Sequence, residues 1–241
     1  MKDTLHDYWS RLKQLHTPFY GKTMTQVRFL HILLFLHFAD NSQRPNPGKE
    51  YDRLWKIRTI FDTLNQVYPK FYNPLEHLAV DEVIVKFQGR VIFRQYLPKE
   101  RKDFGIKIYK LCNKSGYTYD MRVYLGKDSH SANDDMTATY ATVRHLTCGV
   151  EGLGHKLFMD NFFPSPRLFD DLLRHKIHLC GTVRPNRKDV PSDFGSKKLK
   201  LTKGDVRVRT RGNLTMLVWK DDEMFTCWLT WTCHQKKGIF L

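Results

Sequence analysis

The spacing of apolar residues changes abruptly near His77, and this change constrains the fold more than any other feature of the chain. Before it, residues 25–38 and 51–67 carry apolar side chains at the spacing of helices. The first of these segments is apolar on most sides, which predicts a buried helix that begins after the capping residue Thr25. After it, the alternation typical of strands runs through residues 78–87, 91–97, 106–113 and 117–125.

The later segments predict a mixed α/β core. Helical patterns at 133–146 and 164–175 alternate with strand patterns at 155–159 and 177–183. Three antiparallel strands followed by alternating helices and strands make an α/β sandwich with a mixed sheet. Beyond residue 183 the chain becomes strongly basic, and strand patterns at 215–219 and 224–233 predict a small β module. The predicted domains are a helical region (1–75), the core (76–183), the basic β module (184–236) and a tail (237–241).

The net charge predicts a polyanionic partner. The chain has 40 Lys and Arg against 25 Asp and Glu, a formal charge of +15, which favours nucleic acid or an anionic membrane surface. The longest apolar run, residues 32–36, is far too short to cross a bilayer. The five cysteines are widely spread and include no CxxC pair, which suits a reducing compartment and argues against a zinc site.

Two aspartates stand where strand patterns would bury them. Asp81 lies in the middle of the first strand pattern, and Asp160 ends a later one. A buried carboxylate is costly unless a partner compensates its charge. If the two strands are neighbours, the two carboxylates can share a divalent cation, because Mg²⁺ binds a few carboxylates together with waters and phosphates. The alternative is that each aspartate only caps or terminates its strand.

A set of ordered motifs resembles the piggyBac transposase family. The motifs run in order along nearly all of the chain: DYW (7–9), RFLHILLFLHFADN (28–41), AVDEVIVKFQGR (79–90), FRQYLPKERKDFGIKIY (93–109), YLG (124–126), MDNFF (159–163) and GTVRPNRKDVP (181–191). The resemblance implies an RNase H-like catalytic core of the DDE/DDD type, preceded by a helical DNA-binding and dimerisation region and followed by an all-β insertion.

The resemblance also implies a set of catalytic and metal-binding residues. Asp81 corresponds to the first catalytic aspartate and Asp160 to the second, with Phe162 where the family usually has Trp. The family's third aspartate lies in a GGVD-type segment beyond the insertion, and these 241 residues contain no such segment. The implied cofactor is Mg²⁺ or Mn²⁺, bound as a pair when three carboxylates are present. We therefore expect little or no strand transfer from this chain alone.

Two basic clusters are the predicted DNA contacts. Residues 86–110 hold eight Lys and Arg against two acids, and residues 184–211 hold ten against three. The preferred phosphate contacts are Arg90, Arg94, Lys99, Arg101, Lys102, Arg184, Arg187 and Lys188. The alternative is a solvated basic face without function.

Taken together, the resemblance and the charge predict a transposable element-derived, DNA-binding protein of the nucleus. Its expected partners are the DNA phosphate backbone and a second copy of the chain, with no membrane partner and no small-molecule substrate. One alternative is a domesticated DNA- or chromatin-binding module without enzymatic activity. Another is a gene fragment without function.

Overall fold

The computed structural model describes residues 5–15, 17–46, 48, 51–98, 104–126, 137–184, 187, 190–191, 193–194 and 199–230. The chain divides into two compact units, Met1–Asp62 and Thr63–Leu241. The predicted domain boundaries at residues 75 and 183 differ from this division and stay predictions. No helix in the described ranges combines the length and apolar character that a bilayer crossing requires.

The first unit is built from short helices. A 3₁₀ turn at Leu5–Trp9 is followed by α1 (Pro18–Thr23), α2 (Gln26–Phe35), a second 3₁₀ turn at Asn41–Gln43 and the start of α3 (Arg58–Phe71). Thr25 caps α2 as predicted, because its hydroxyl accepts a hydrogen bond from the Arg28 amide. The Trp9 indole donates to the Met24 carbonyl at 2.9 Å, which ties the first turn to the segment before α2.

The prediction that α2 is a buried helix is wrong for this chain. None of its ten residues is buried, and the side chains of Leu34 and Phe35 are 70% and 72% exposed. An apolar sequence shows which surface a helix is able to bury, whereas burial itself depends on a neighbouring element that covers that surface. The described residues of the first unit cover little of it.

Helix α3 crosses from the first unit into the second. Its first residue, Arg58, forms an ion pair with Asp52 at 2.7 Å. Further along, the Asn65 side chain donates to the Met121 carbonyl at 2.8 Å and accepts from the Met121 amide at 3.2 Å. The predicted helix at 51–67 therefore exists, but it begins later and continues to Phe71.

The second unit contains a mixed sheet with the predicted helices in the predicted order. Its elements are β1 (His77–Lys86), β2 (Gln95–Tyr96), β3 (Phe104–Asn113), β4 (Thr118–Val123), α4 (Ala138–Thr147), β5 (Lys156–Met159), α5 (Pro166–Arg174) and β6 (His178–Thr182). Strand β1 pairs antiparallel with β3 and parallel with β5, and β5 pairs parallel with β6. The predicted start of α4 at Asn133 lies outside the described residues; Thr137 caps the described helix.

The strands that follow the basic segment extend this same sheet. They are β7 (Val206–Arg211), β8 (Leu214–Lys220) and β9 (Met224–Leu229). Strand β9 pairs antiparallel with β6, so the sheet order is β2-β3-β1-β5-β6-β9-β8-β7, with β4 also paired to β3. Strands β8 and β9 match the predicted segments, whereas β7 was not predicted.

Helix α5 packs its apolar side chains on one face of the sheet. Ser165 caps the helix, and Leu168, Phe169 and Leu172 are fully buried. The Phe169 ring meets the indole of Trp228 on β9 edge to face, with ring centres 5.9 Å apart. One core therefore joins α5 to strands that come before and after the basic segment.

Candidate metal and DNA site

The structure places Asp81 and Asp160 at matching positions on neighbouring parallel strands. Val80 of β1 and Met159 of β5 are register partners, and each aspartate follows directly after one of them. Neighbouring strands lie about 4.8 Å apart, so the two carboxylates emerge side by side. Val80 and Met159 are buried in the main core, whereas both aspartates are exposed.

The exposure of Asp81 and Asp160 corrects one part of the sequence argument. The predicted burial of both carboxylates is wrong, because alternation along β1 sends the Asp81 side chain to the face opposite Leu78 and Val80 and Asp160 is also exposed. The feature that distinguishes the pair is therefore its position in the sheet.

Each aspartate also bonds to a nearby backbone amide. One Asp81 oxygen accepts from the Glu82 amide at 2.7 Å, and one Asp160 oxygen accepts from the Phe162 amide at 2.9 Å. The bond of Asp160 is the side-chain turn that commonly follows a strand, which supports the alternative of strand termination for this residue. An amide donor and a metal ion can bind the same carboxylate, because its two oxygens offer several acceptor positions.

The two carboxylates fit a single divalent cation. Mg²⁺ is commonly held by one or two carboxylates, with waters and substrate phosphates completing its shell. The described part of the chain brings no group of three or more His, Cys, Asp or Glu side chains together in a metal-binding arrangement. A second ion therefore finds no third carboxylate within those ranges.

Glu82 belongs to a different group of side chains. It is the register partner of Tyr109, on the face opposite Asp81, and it forms an ion pair with Lys107. The Lys107 ammonium group also lies 5.1 Å from the Tyr109 ring centre and 4.8 Å from that of Phe162. Burial lowers the pKa of Lys107, but the Glu82 carboxylate and Tyr109 outweigh it, so the pKa lies above its usual value.

Lys107 was predicted only as a member of the basic cluster at residues 86–110, whereas the structure pairs it with Glu82 and Phe162. Its contact with Phe162 fixes the segment that directly follows Asp160, so Lys107 helps to position the site. The sequence signal was Phe162, which stands two residues after Asp160 in the MDNFF motif. Nothing in the chain order indicated which basic residue would meet it.

Two of the predicted DNA contacts lie beside the aspartate pair. Arg184 donates from Nε to the Asn161 side-chain oxygen at 2.9 Å, and Arg187 donates to the Asn161 carbonyl at 3.0 Å. Asn161 is the residue directly after Asp160, so both guanidinium groups contact the segment that carries this aspartate. Positive charge at this place attracts the phosphates that a metal ion between the carboxylates would also bind.

The other predicted contacts are more scattered. Arg90 is exposed. The Arg94 guanidinium group donates to the carbonyls of Gln88 and Gly89, each at 3.3 Å, and lies over the Phe104 ring, so it stabilises its own loop. Lys99, Arg101, Lys102 and Lys188 lie outside the described residues.

The known proteins that this chain resembles are transposases or proteins derived from transposable elements. A family model described as Transposase IS4 matches residues 1–239. PiggyBac transposable element-derived protein 3 of Homo sapiens is 28% identical over 226 residues, which cover 91% of this chain and 37% of that protein. PiggyBac transposable element-derived protein 5 of Homo sapiens is 20% identical over 210 residues, covering 81% of this chain and 39% of that protein.

A solved structure resembles the whole chain. The cryo-EM structure of a piggyBac transposase synaptic complex with hairpin DNA superimposes with a TM-score of 0.82 at 27% identity, covering 99% of this chain and 49% of that one. The likeness confirms the predicted α/β fold class, a mixed sheet with flanking helices that matches a piggyBac transposase structure. The chain spans less than half the length of each of these relatives. It belongs to the Transposase IS4 family and, within it, to the piggyBac group of transposase-like proteins.

Proposed function

We propose that this protein binds DNA in the nucleus and holds one Mg²⁺ or Mn²⁺ ion between Asp81 and Asp160 against a DNA phosphate. The observation that carries the proposal is the register of β1 and β5, which brings the two family-matched aspartates together. The relative solved with hairpin DNA supports DNA as the partner. A second copy of the chain is a further proposed partner, supported by the exposed apolar side chains of α2.

The residues around the aspartates have distinct tasks in this proposal. Arg184 and Arg187 bind phosphate oxygens and, through Asn161, set the path of the segment after Asp160. Lys107 holds Phe162 and thereby fixes the same segment from the other face. A bound ion would neutralise charge on the phosphodiester and activate an attacking water or hydroxyl.

Catalysis by this chain alone is expected to be weak. Strand transfer with two metal ions needs an anchor for each ion, and the described residues offer only the two carboxylates. We therefore expect binding of one ion and of DNA, without robust hairpin formation or joining. The lack of a third ligand among these residues also favours the second candidate function, DNA binding that needs no metal.

Metal titration of the full chain separates the two functions. Isothermal titration with Mn²⁺, followed by electrophoretic mobility shifts on hairpin DNA with and without the ion, should show one site and metal-enhanced DNA binding. The double variant Asp81→Asn, Asp160→Asn should lose both effects. Asp170→Asn, on the exposed surface of α5, is the matched control and should keep them.

Each alternative has its own signature in these measurements. DNA binding that is unchanged by Mn²⁺ and by the double variant would establish the non-enzymatic module. Robust strand joining by the wild-type chain would contradict the expected weakness of catalysis.

A further inference from the structure

We propose that the edge strand β7 is a docking site for an extended segment of another polypeptide in which acidic and apolar residues alternate. Strand β7 ends the sheet, since within the described ranges it pairs only with β8. All six of its residues are exposed, in the order Val, Arg, Val, Arg, Thr, Arg. An exposed edge with an alternating side-chain pattern is a template for strand addition.

The register of β7 identifies which backbone groups face outward. The Lys220 amide donates to the Asp205 carbonyl at 3.1 Å and the Lys220 carbonyl accepts from the Gly204 amide at 2.8 Å, so both backbone groups of Lys220 face the strand that begins with Val206. Bonded and non-bonded pairs alternate in an antiparallel ladder, so Arg207, Arg209 and Arg211 also bond to β8. The amides and carbonyls of Val206, Val208 and Thr210 therefore point to the open edge.

The two faces of β7 differ in chemistry. Arg207, Arg209 and Arg211 are register partners of Val218, Met216 and Leu214, so their side chains project on the face that carries the main core. Val206 and Val208 project on the opposite face and are 49% and 52% exposed. A strand added at this edge would place alternate side chains beside arginines and the others beside valines.

Charge complementarity selects an acidic partner. Arg209 forms an ion pair with Asp193 at 2.6 Å. Arg207 interacts electrostatically with Asp205 from beyond ion-pair distance, and Arg211 forms no ion pair within the described ranges. The Asp205 carboxylate bonds to the Thr202 amide and hydroxyl, each at 2.8 Å. Glutamate or aspartate side chains on the added strand would meet these arginines, and opposite charges on neighbouring strands stabilise the pairing.

The same features argue against two other occupants. A second copy of β7 would place arginine beside arginine, and like charges across a ladder are destabilising. A DNA phosphate accepts hydrogen bonds from the arginines and outward amides, but it leaves the outward carbonyls of Val206, Val208 and Thr210 facing negative charge. A peptide strand supplies donors and acceptors in alternation and satisfies both sets.

The test uses the full chain and a short capped peptide of alternating Glu and Val. Binding is followed by fluorescence anisotropy, and hydrogen exchange of single amides is followed by NMR. Bound peptide should protect the outward amides of Val206, Val208 and Thr210. The amides of Arg207 and Arg209, already bonded to β8, should change little and serve as an internal control.

Variants and modified peptides identify the contacts. The double variant Arg207→Glu, Arg211→Glu should bind the Glu-Val peptide about tenfold or more weakly than the wild type does. The same variant should bind a Lys-Val peptide, because the charge at the edge is reversed. Lys114→Glu, in the exposed turn between β3 and β4, is the matched charge control and should leave binding unchanged. N-methylation of alternate peptide amides should abolish binding without any change in the protein.

Three results would overturn the proposal. The first is no binding of the Glu-Val peptide to the wild-type chain. The second is binding that survives N-methylation, which would show attraction by charge alone. The third is protection of the outward amides by duplex DNA but not by the peptide, which would assign the edge to nucleic acid.

Discussion

The Lys107 ammonium group lies 4.8 Å from the centre of the Phe162 ring, directly behind the segment that carries Asp160. A cation over an aromatic face is held by the ring's quadrupole, and Trp binds cations more strongly than Phe. Phe162→Trp, which introduces the residue that the resemblance gives as usual in the family, should therefore raise the unfolding free energy by at most about 0.5 kcal/mol, because the Phe ring already makes part of this interaction.

Urea unfolding checks the Phe162→Trp prediction. Lys107→Met should remove the gain, because the added ring then has no cation to bind. Phe71→Trp adds the same atoms at a side chain that is 79% exposed and should change stability little. An equal gain from Phe162→Trp with and without Lys107 would show that packing alone is responsible.

The salt dependence of DNA binding should report the arginines beside Asn161. If the protein contacts about six phosphates, a plot of the logarithm of the binding constant against the logarithm of the salt concentration has a slope of about −5. Arg184→Gln together with Arg187→Gln should make this slope shallower by about two and weaken binding to all sequences alike. Lys114→Gln is the control, and an unchanged slope in the double variant would remove both arginines from the interface.

The ion pair at the start of α3 should make stability depend on pH. The hydrogen bond from Arg58 holds the pKa of Asp52 below its ordinary value of 3.8. Burial of the carboxyl group raises the pKa by less than this bond lowers it, and the bond from the Leu54 amide lowers it further. The folded chain thus binds this proton less readily than the unfolded chain. The stabilisation is present above pH 3.8 and disappears as the pH falls through the lowered pKa.

Asp52→Asn provides the measurement for this pair. The variant should unfold at lower urea than the wild type at neutral pH, and the two curves should converge in acid. The first unit must be followed by its own probe, such as the fluorescence of Trp55. A difference that persists unchanged in acid would assign the effect to something other than the charge.

Core and surface positions of the helices should respond very differently to truncation. Phe169→Ala in α5 removes a fully buried ring that packs on Trp228 and should cost about 3 to 5 kcal/mol of unfolding free energy. Leu34→Ala in α2 removes a side chain that is 70% exposed and, at protein concentrations where the chain stays monomeric, should cost less than about 0.5 kcal/mol. A large loss at Leu34 would show that a second copy or another element covers α2 in solution.

Several elements were predictable because local rules and the final packing agree. Periodicity located β1, β3 and α5, although α5 begins at Pro166, after the capping residue Ser165, and the predicted helix began at residue 164. Strand β7 was missed because its sequence, VRVRTR, has no buried face to produce an apolar alternation. The signal was the Gly212-Asn213 pair that follows it, since a positive φ of 58° at Gly212 suits a tight hairpin turn.

The two aspartates of the candidate site were predictable from the sequence, whereas the contacts that hold the neighbouring segment in place were not. Asp81 and Asp160 stood out in strand patterns and matched family motifs, and parallel pairing of their strands brings them together. The hydrogen bonds from Arg184 and Arg187 to Asn161 join residues that are 23 and 26 positions apart in the sequence. Such contacts depend on the whole fold and leave no periodic trace in the sequence.

The pairing of β6 with β9 has a consequence for how the chain folds during synthesis. Thr182 of β6 pairs with Cys227 of β9, and this pairing cannot form until all of β9 has left the ribosome. Pairings between distant segments form slowly, because the chain loses the entropy of loop closure before the new contacts stabilise it. The edge of β6 therefore stays open while the basic segment emerges, and this interval is when the nascent chain is most exposed to mispairing and to chaperones.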